Sequence, residues 1–155
     1  MGRLFLDANV PTYAAGRDHP LKEPCKEVLR LSARHPGSFF TDAEVLQELL
    51  HRYLSRRRWP EGKRVVLDFA TLMAGSIEPV TAEDVIFACD LVDRNAARRG
   101  ALLAARDLLH AVVILRVEGD ATKIVSADRD FDELAGDGIE RLDPTDIEAW
   151  RYEIE

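Results

Sequence analysis

Cysteine is nearly absent from this chain: Cys25 and Cys89 are the only two in 155 residues. Neither has paired metal spacing, so neither a disulfide framework nor a thiolate zinc site is indicated, and both are expected as reduced thiols in or near the core. No apolar run reaches membrane length. The longest, Ala101 to Val117, is interrupted by Arg106, Asp107 and His110 and reads as a core helix. Arg3 and Asp7 leave no room for a signal-type apolar region, and Leu6 breaks the myristoylation pattern that Gly2 begins. A soluble cytoplasmic protein without membrane contact is the expectation. No glycine-rich phosphate cradle occurs, which removes support for nucleoside triphosphate hydrolysis. Internal repeats and low-complexity tracts are missing as well. Nor is the chain basic: a net charge of -7 argues, at first sight, against a nucleic-acid ligand.

What is present is globular composition, 46% hydrophobic and 32% charged, at the length of one ordinary domain spanning residues 1–155. Four or five short β-like runs alternate with helical ones, the signature of an α/β domain with a mainly parallel sheet. The strands are expected at Arg3 to Leu6, Ser38 to Phe40, Ile77 to Val80, Lys123 to Ser126 and Ile139 to Leu142. Helices are expected from about Lys22 to Arg34, from Thr41 to the arginines near 57, and from Pro60 to about Met73. Two more run from Thr81 to near Gly100 and from Ala104 to Val117. A short helix follows near Asp130 to Ala135, and another closes the chain from Pro144 to Trp150. Thr41 to Glu44 has the T-x-x-E form of a capping box, and Thr81 to Asp84 caps the long fourth helix. No element is assigned between Leu6 and about Lys22.

The acids are distributed in a way that ordinary turn chemistry does not fully explain. Leu4-Phe5-Leu6 runs straight into Asp7, and Ile124-Val125 delivers Asp128 and Asp130 to one spot. Asp is favoured where a strand gives way to a helix, which suffices for either site alone. In open α/β sheets, however, ligands bind outside the carboxyl ends of the strands. If the first and fourth strands are neighbours, their aspartates repel unless they share a cation or a proton. Asp107 lies in a helix that is apolar on nearly every face, where an unpaired carboxylate is expensive. Its simplest partners are Arg106 and His110. His110 reads more simply as a core histidine bonded to its neighbours than as a ligand. On the second of the predicted helices Val45, Leu46, Leu49, Leu50 and Tyr53 cluster on one face, with Glu48 beyond its edge; periodicity alone does not select Glu48 over Glu44. The basic residues crowd at Arg52, Arg56, Arg57, Arg58, Lys63 and Arg64. That run reads as the solvated face of a helix hairpin or as a phosphate-binding surface.

The ordered segments LFLDANV, VLQELLHRY, ARDLLHAVVIL and IVSADRDF resemble the PIN domain, and most closely the VapC-type toxin nucleases of toxin–antitoxin pairs. The resemblance spans nearly the whole chain. It implies a three-layer α/β/α fold with a mainly parallel central sheet of four to five strands. It also implies an acidic quartet of Asp7, Glu48, Asp107 and Asp128, and it settles Glu48 over Glu44 because Leu49-Leu50 follows. Asp130 matches an accessory acid, and Asn9 and Ser126 match small polar residues that brace the first acid or a metal-bound water. Carboxylate oxygens without cysteine suit Mg²⁺, with Mn²⁺ able to substitute. The implied reaction is hydrolysis of RNA to 5′-phosphate and 3′-hydroxyl ends. The implied partners are an RNA substrate, a cognate antitoxin protein and a second copy of the chain as a homodimer; Arg56, Arg57, Arg58, Lys63 and Arg64 would contact either RNA or antitoxin. The excursion Pro11 to Pro24 and the bulky Leu108-Leu109 depart from the common family pattern. A catalytically silent PIN-like module that only binds RNA or protein is the alternative. A phosphoaspartyl enzyme is disfavoured, because Asn9 stands where a second aspartate would be needed.

Overall fold

The computed structural model describes residues 2–99, 103–119 and 122–154, with backbone alone for 97–99. Five strands, β1 (Leu4–Leu6), β2 (Phe39–Asp42), β3 (Ile77–Glu78), β4 (Thr122–Val125) and β5 (Ile139–Leu142), form one sheet in the order β3-β2-β1-β4-β5. Every pairing is parallel. Between them run α1 (Asn9–Ala15), α2 (Lys22–Arg34), α3 (Ala43–Ser55), α4 (Trp59–Leu72), α5 (Ala82–Arg99) and α6 (Ala105–Glu118), and α7 (Ile147–Trp150) follows β5. β1 is buried along its whole length, as a parallel strand covered on both faces must be. Phe5, Leu6, Phe40, Ile124 and Val125 from the strands pack with Val28, Leu31, Leu49 and Ile114 from the helices.

From β1 the chain builds the sheet outward through β2 and β3, then returns to add β4 and β5 on the other side. Parallel crossovers are right-handed as a rule, so this reversal of direction puts helices on both faces and creates a topological switch point between β1 and β4. Leu6 pairs with Val125 there. No helix among the described residues is long and apolar enough to cross a membrane.

Several elements differ from the sequence reading. The supposed excursion contains α1, a short helix with Pro11 inside it and no side-chain cap, which gave pattern reasoning little to hold. Thr41 does not cap α3: it lies in β2, and its hydroxyl donates to the Leu6 carbonyl at 2.9 Å. The cap is Asp42, whose Oδ1 accepts from the Val45 N–H at 2.9 Å. The box at Thr81 does form, Asp84 accepting from the Thr81 N–H at 2.9 Å and donating its own N–H to Thr81 Oγ1 at 3.2 Å. Leu50, placed on the apolar face of α3, is 38% exposed, and Cys89 is exposed whereas Cys25 is buried. β3 stops at Glu78, two residues short of Val80. The short helix after β4 is a 3₁₀ helix over Arg129–Asp137, and the closing helix is a 3₁₀ turn, Pro144–Asp146, leading into α7. Gly100, expected to end α5, lies outside the described residues.

The turn from α3 to α4 is strained. Arg57 has φ 54°, and the bonds Arg57 N–H to Leu54 O (3.0 Å) and Arg58 N–H to Tyr53 O (2.9 Å) make a Schellman end in which arginine occupies the usual glycine position. Left-handed backbone costs an L-residue roughly 1 kcal/mol or more, so Arg57→Gly is expected to raise stability by about that amount. A denaturant midpoint equal to or below that of the wild type would contradict this.

Candidate active site

The parallel pairing of β1 with β4 sets Asp7 beside the segment from Ser126 to Asp128. Asp7 is only 5% exposed. Its Oδ1 accepts from the Ala8 N–H at 2.8 Å, and its Oδ2 accepts from Asn9 Nδ2 at 2.9 Å and from Ser126 Oγ at 2.6 Å. Asn9 also donates to Ser126 Oγ at 2.9 Å and accepts the Ala127 N–H at 3.2 Å, and Ser126 Oγ accepts the Asp128 N–H at 3.0 Å. Asn9 and Ser126 thus lock the two strand ends together and fix the rotamer of Asp7. Asp128 caps the 3₁₀ helix that follows it, accepting the Asp130 N–H at 2.9 Å; the Asp130 side chain is exposed.

Three further groups approach from the helices. Glu48 projects from α3, and Asp107 stands half-buried in the first turn of α6 with His110 one turn on. Asp7, Glu48 and His110 each offer a donor atom within 4.8 Å of the others. Arg106 lies 3.9 Å from Glu48, and His110 Nδ1 lies 2.7 Å from Asp42 Oδ2, so the two cations expected beside Asp107 are directed at other acids. His110 Nε2 finds no hydrogen-bond partner among the described residues; it sits 3.8 Å from Glu48 Oε2, an ion-pair distance rather than a hydrogen bond.

The electrostatics describe a crowd of negative charge with one cation inside it. Burial raises the Asp7 carboxyl to about 6, against the opposing His110 charge and Ser126 hydrogen bond, with Glu48 adding to the rise. Asp107 also rises to about 6, through burial first and then the charge of Asp7, with Asp128 and Glu48 adding and His110 opposing. Asp107 therefore feels all three other acids of the quartet. Burial works to raise Glu48, but His110 and Arg106 outweigh it and hold the carboxyl below its ordinary value. Burial works to lower His110, yet its bond to Asp42 and the nearby carboxylates push it up to about 10. A single imidazolium does not balance this many acids. The clustered carboxylate oxygens and the raised carboxyls fit a hard divalent cation in the cleft, whereas the protonated His110 ring is a donor and not a ligand.

Sequence reasoning placed His110 in the core, where it is, and offered it as a partner of Asp107, whereas its ring is directed at Asp42 and Glu48; Asp42 it missed altogether. The available signal was the position of Asp42 at the end of β2, equivalent to that of Asp7 at the end of β1. Glu44 and Glu48 are separable by substitution. Glu48→Gln is expected to remove most activity and Glu44→Gln to leave it nearly unchanged, because Glu48 alone of the two lies within 4.8 Å of Asp7 and His110 donors. Initial rates of both variants on one RNA decide it, and the reverse ranking would transfer the role to Glu44.

A strand-end aspartate braced by Asn9 and Ser126 across a parallel switch point, faced by acids from two helices, defines a class. Residues 4–137 match the PIN domain, and the chain belongs to that family. Among its relatives, ribonuclease VapC23 of Mycobacterium tuberculosis is 44% identical over 110 residues, covering 69% of this chain and 79% of that protein. Ribonuclease VapC13 of the same species is 34% identical over 139 residues, covering 90% and 98%. Solved structures with the same fold include VapBC2 from Rickettsia felis bound to a promoter DNA fragment (TM-score 0.67, 18% identity, 90% of this chain and 97% of that one). Another is FitAcB from Neisseria gonorrhoeae (TM-score 0.66, 18% identity, 92% and 98%).

Proposed function

We propose that this chain is a metal-dependent ribonuclease and the toxin of a toxin–antitoxin pair, acting in the cytoplasm as a homodimer and held in check by a cognate antitoxin. The observation that carries the reading is the close group of Asp7 and Glu48 at the end of β1, with Asp107 near enough for the charges of Asp7, Asp128 and Glu48 to raise it, and it is supported by the likeness to VapC ribonucleases. Asp7 and Asp107 would hold Mg²⁺ or Mn²⁺, with Glu48 and Asp128 completing the shell. Such an ion lowers the pKa of a bound water, orients it for in-line attack on phosphorus and offsets charge on the departing oxygen.

The chain's own groups prepare that chemistry. Asn9 and Ser126 keep the Asp7 carboxylate from rotating, so its geometry is set before substrate arrives. The Asp42–His110 pair places a positive charge beside Glu48, holding it ionised as a ligand or base. Arg106, 3.9 Å from Glu48, does the same. Around the cleft, the basic run divides. Arg56 and Arg58 line a cavity beside the site together with Arg52, Arg64 borders a mainly apolar cleft with α1 and α2, and Arg57 and Lys63 are exposed. We assign the run to the RNA backbone, with antitoxin docking as its rival.

The test is product chemistry. A structured RNA incubated with the protein and Mg²⁺ should yield fragments with 5′-phosphate and 3′-hydroxyl ends, which a 5′-phosphate-dependent exonuclease then degrades. Cyclic-phosphate ends would overturn metal-assisted hydrolysis in favour of attack by the ribose 2′-hydroxyl.

A further inference from the structure

Beside the acidic cleft a cavity of about 360 Å³ opens between the α1–α2 connection and the α3–α4 turn. A second space, of about 330 Å³, lies over the site itself and is bordered by Asn9, Glu48 and Asp128. Thr12, Tyr13 and Arg52 line both, so the two lie side by side. From the inner space to the outer one the lining changes from carboxylate to guanidinium.

The chemistry of the outer cavity is specific. Arg17, Arg52, Arg56 and Arg58 face it against a single acid, Glu61, and Glu61 is already ion-paired with Arg58. In a chain of net charge -7 this is a local excess of positive charge. Tyr13 and His19 also line it, their ring centroids 4.8 Å apart and their planes 34° from parallel. The Leu21 N–H donates to His19 Nδ1 at 3.1 Å, which anchors the imidazole and puts its ring proton on Nε2. Lys22 Nζ donates to the Gly16 carbonyl at 2.6 Å and fixes the connection that carries Arg17. Cationic groups for phosphate beside a flat ring pair for a base are the two elements of single-strand recognition. The volume admits one unpaired nucleotide rather than both strands of a helix.

We propose that this cavity is a nucleotide subsite for single-stranded RNA leading away from the cleavage point. Arg17, Arg52 and Arg56 take the backbone phosphate, and a base packs on the face of the tilted Tyr13–His19 ring pair. The subsite makes the enzyme prefer substrates unpaired next to the cut. It rests on the ribonuclease reading and adds to it a substrate form and residues outside the acidic cluster.

Binding of a fluorescent ten-nucleotide RNA of random sequence, followed by anisotropy in EDTA across a salt series, separates the two elements. The exposed pair Arg17→Gln with Arg56→Gln should lower the log–log salt slope by about 1.4, at roughly 0.7 per lost phosphate contact. Tyr13→Leu should raise Kd about fivefold or more with the slope unchanged, because a stacked base is lost and no charge. Tyr13→Phe should bind like the wild type. Blunt duplex RNA should not distinguish wild type from Tyr13→Leu. An unaltered slope in the arginine variant, or wild-type affinity in a folded Tyr13→Leu, would overturn the subsite. So would an arginine variant that keeps its RNA binding and salt slope but no longer binds its cognate antitoxin. Adding Mg²⁺ to the same wild-type complexes keeps the two readings apart. RNA bound with these signatures yet left uncut would sink the nuclease, whereas RNA cut equally well from unaffected variants would sink the subsite alone.

Discussion

Asp107→Asn should abolish RNA cleavage, by roughly a thousandfold or more, if its carboxylate supplies the several kcal/mol that a held metal ion contributes to the transition state. The fold should survive. Asparagine keeps the shape, and Asp107 is only half-buried in the first turn of α6. Loss of the favourable charge at a helix N-terminus costs about 0.3–1 kcal/mol. Against that, the substitution removes the cost of burying the charge and the repulsion from Asp7, Asp128 and Glu48, which together raise the Asp107 carboxyl. The relief is of similar size or larger, so the melting temperature in EDTA should be unchanged or higher. Single-turnover cleavage beside a thermal melt reads both quantities. Wild-type cleavage with Mg²⁺ would take Asp107 out of the site, and a collapsed melt would make its role structural.

Asp7→Asn should have the second-largest effect, and its signature is pH-dependent. The folded state holds the Asp7 proton up to about 6, compared with the ordinary 3.8. A carboxyl raised in this way adds stability that is fully present below about 3.8 and is lost as pH rises through about 6. The lost share is at most about 3 kcal/mol, at 1.36 kcal/mol per unit. An asparagine has no such proton to lose. The variant should therefore gain on the wild type between those pH values and hold the gain above them. Part is forfeited, because Asn9 and Ser126 both donate to Oδ2 and an amide nitrogen there would meet donors. The same substitution should reduce stabilisation by Mg²⁺ near neutral pH. Melts from pH 4 to 8, with and without Mg²⁺, test it; parallel curves for variant and wild type would mean that Asp7 is not a strained, metal-ready carboxylate.

The strand-to-acid junctions were legible in the sequence because they are local: an apolar run ending in Asp at Asp7 needs no tertiary information. The capping box at Thr81 was legible for the same reason. The apparent box at Thr41 was not, because the hydroxyl that would cap α3 is taken by the carbonyl of Leu6 in the neighbouring strand, a contact 35 positions away. α1 was invisible since a seven-residue helix with no side-chain cap owes its existence to packing on α2 and α4. Glu48 was singled out by family resemblance and not by helical periodicity. The Asp42–His110 pair bridges 68 positions, so local patterning had no access to it, and it is what brings a positive charge into the acidic cleft. Likewise, Arg17 and Tyr13 join Arg52 and Arg56 only through the fold.

The most direct measurement is the rate of RNA cleavage by metal-stripped protein as Mg²⁺ is added back. The wild type should be silent in EDTA and recover saturably with Mg²⁺ or Mn²⁺, while Asp107→Asn stays silent at every concentration. Cleavage in EDTA equal to that in Mg²⁺, or full recovery by Asp107→Asn, would contradict the assignment of these acids to a metal-dependent nuclease site.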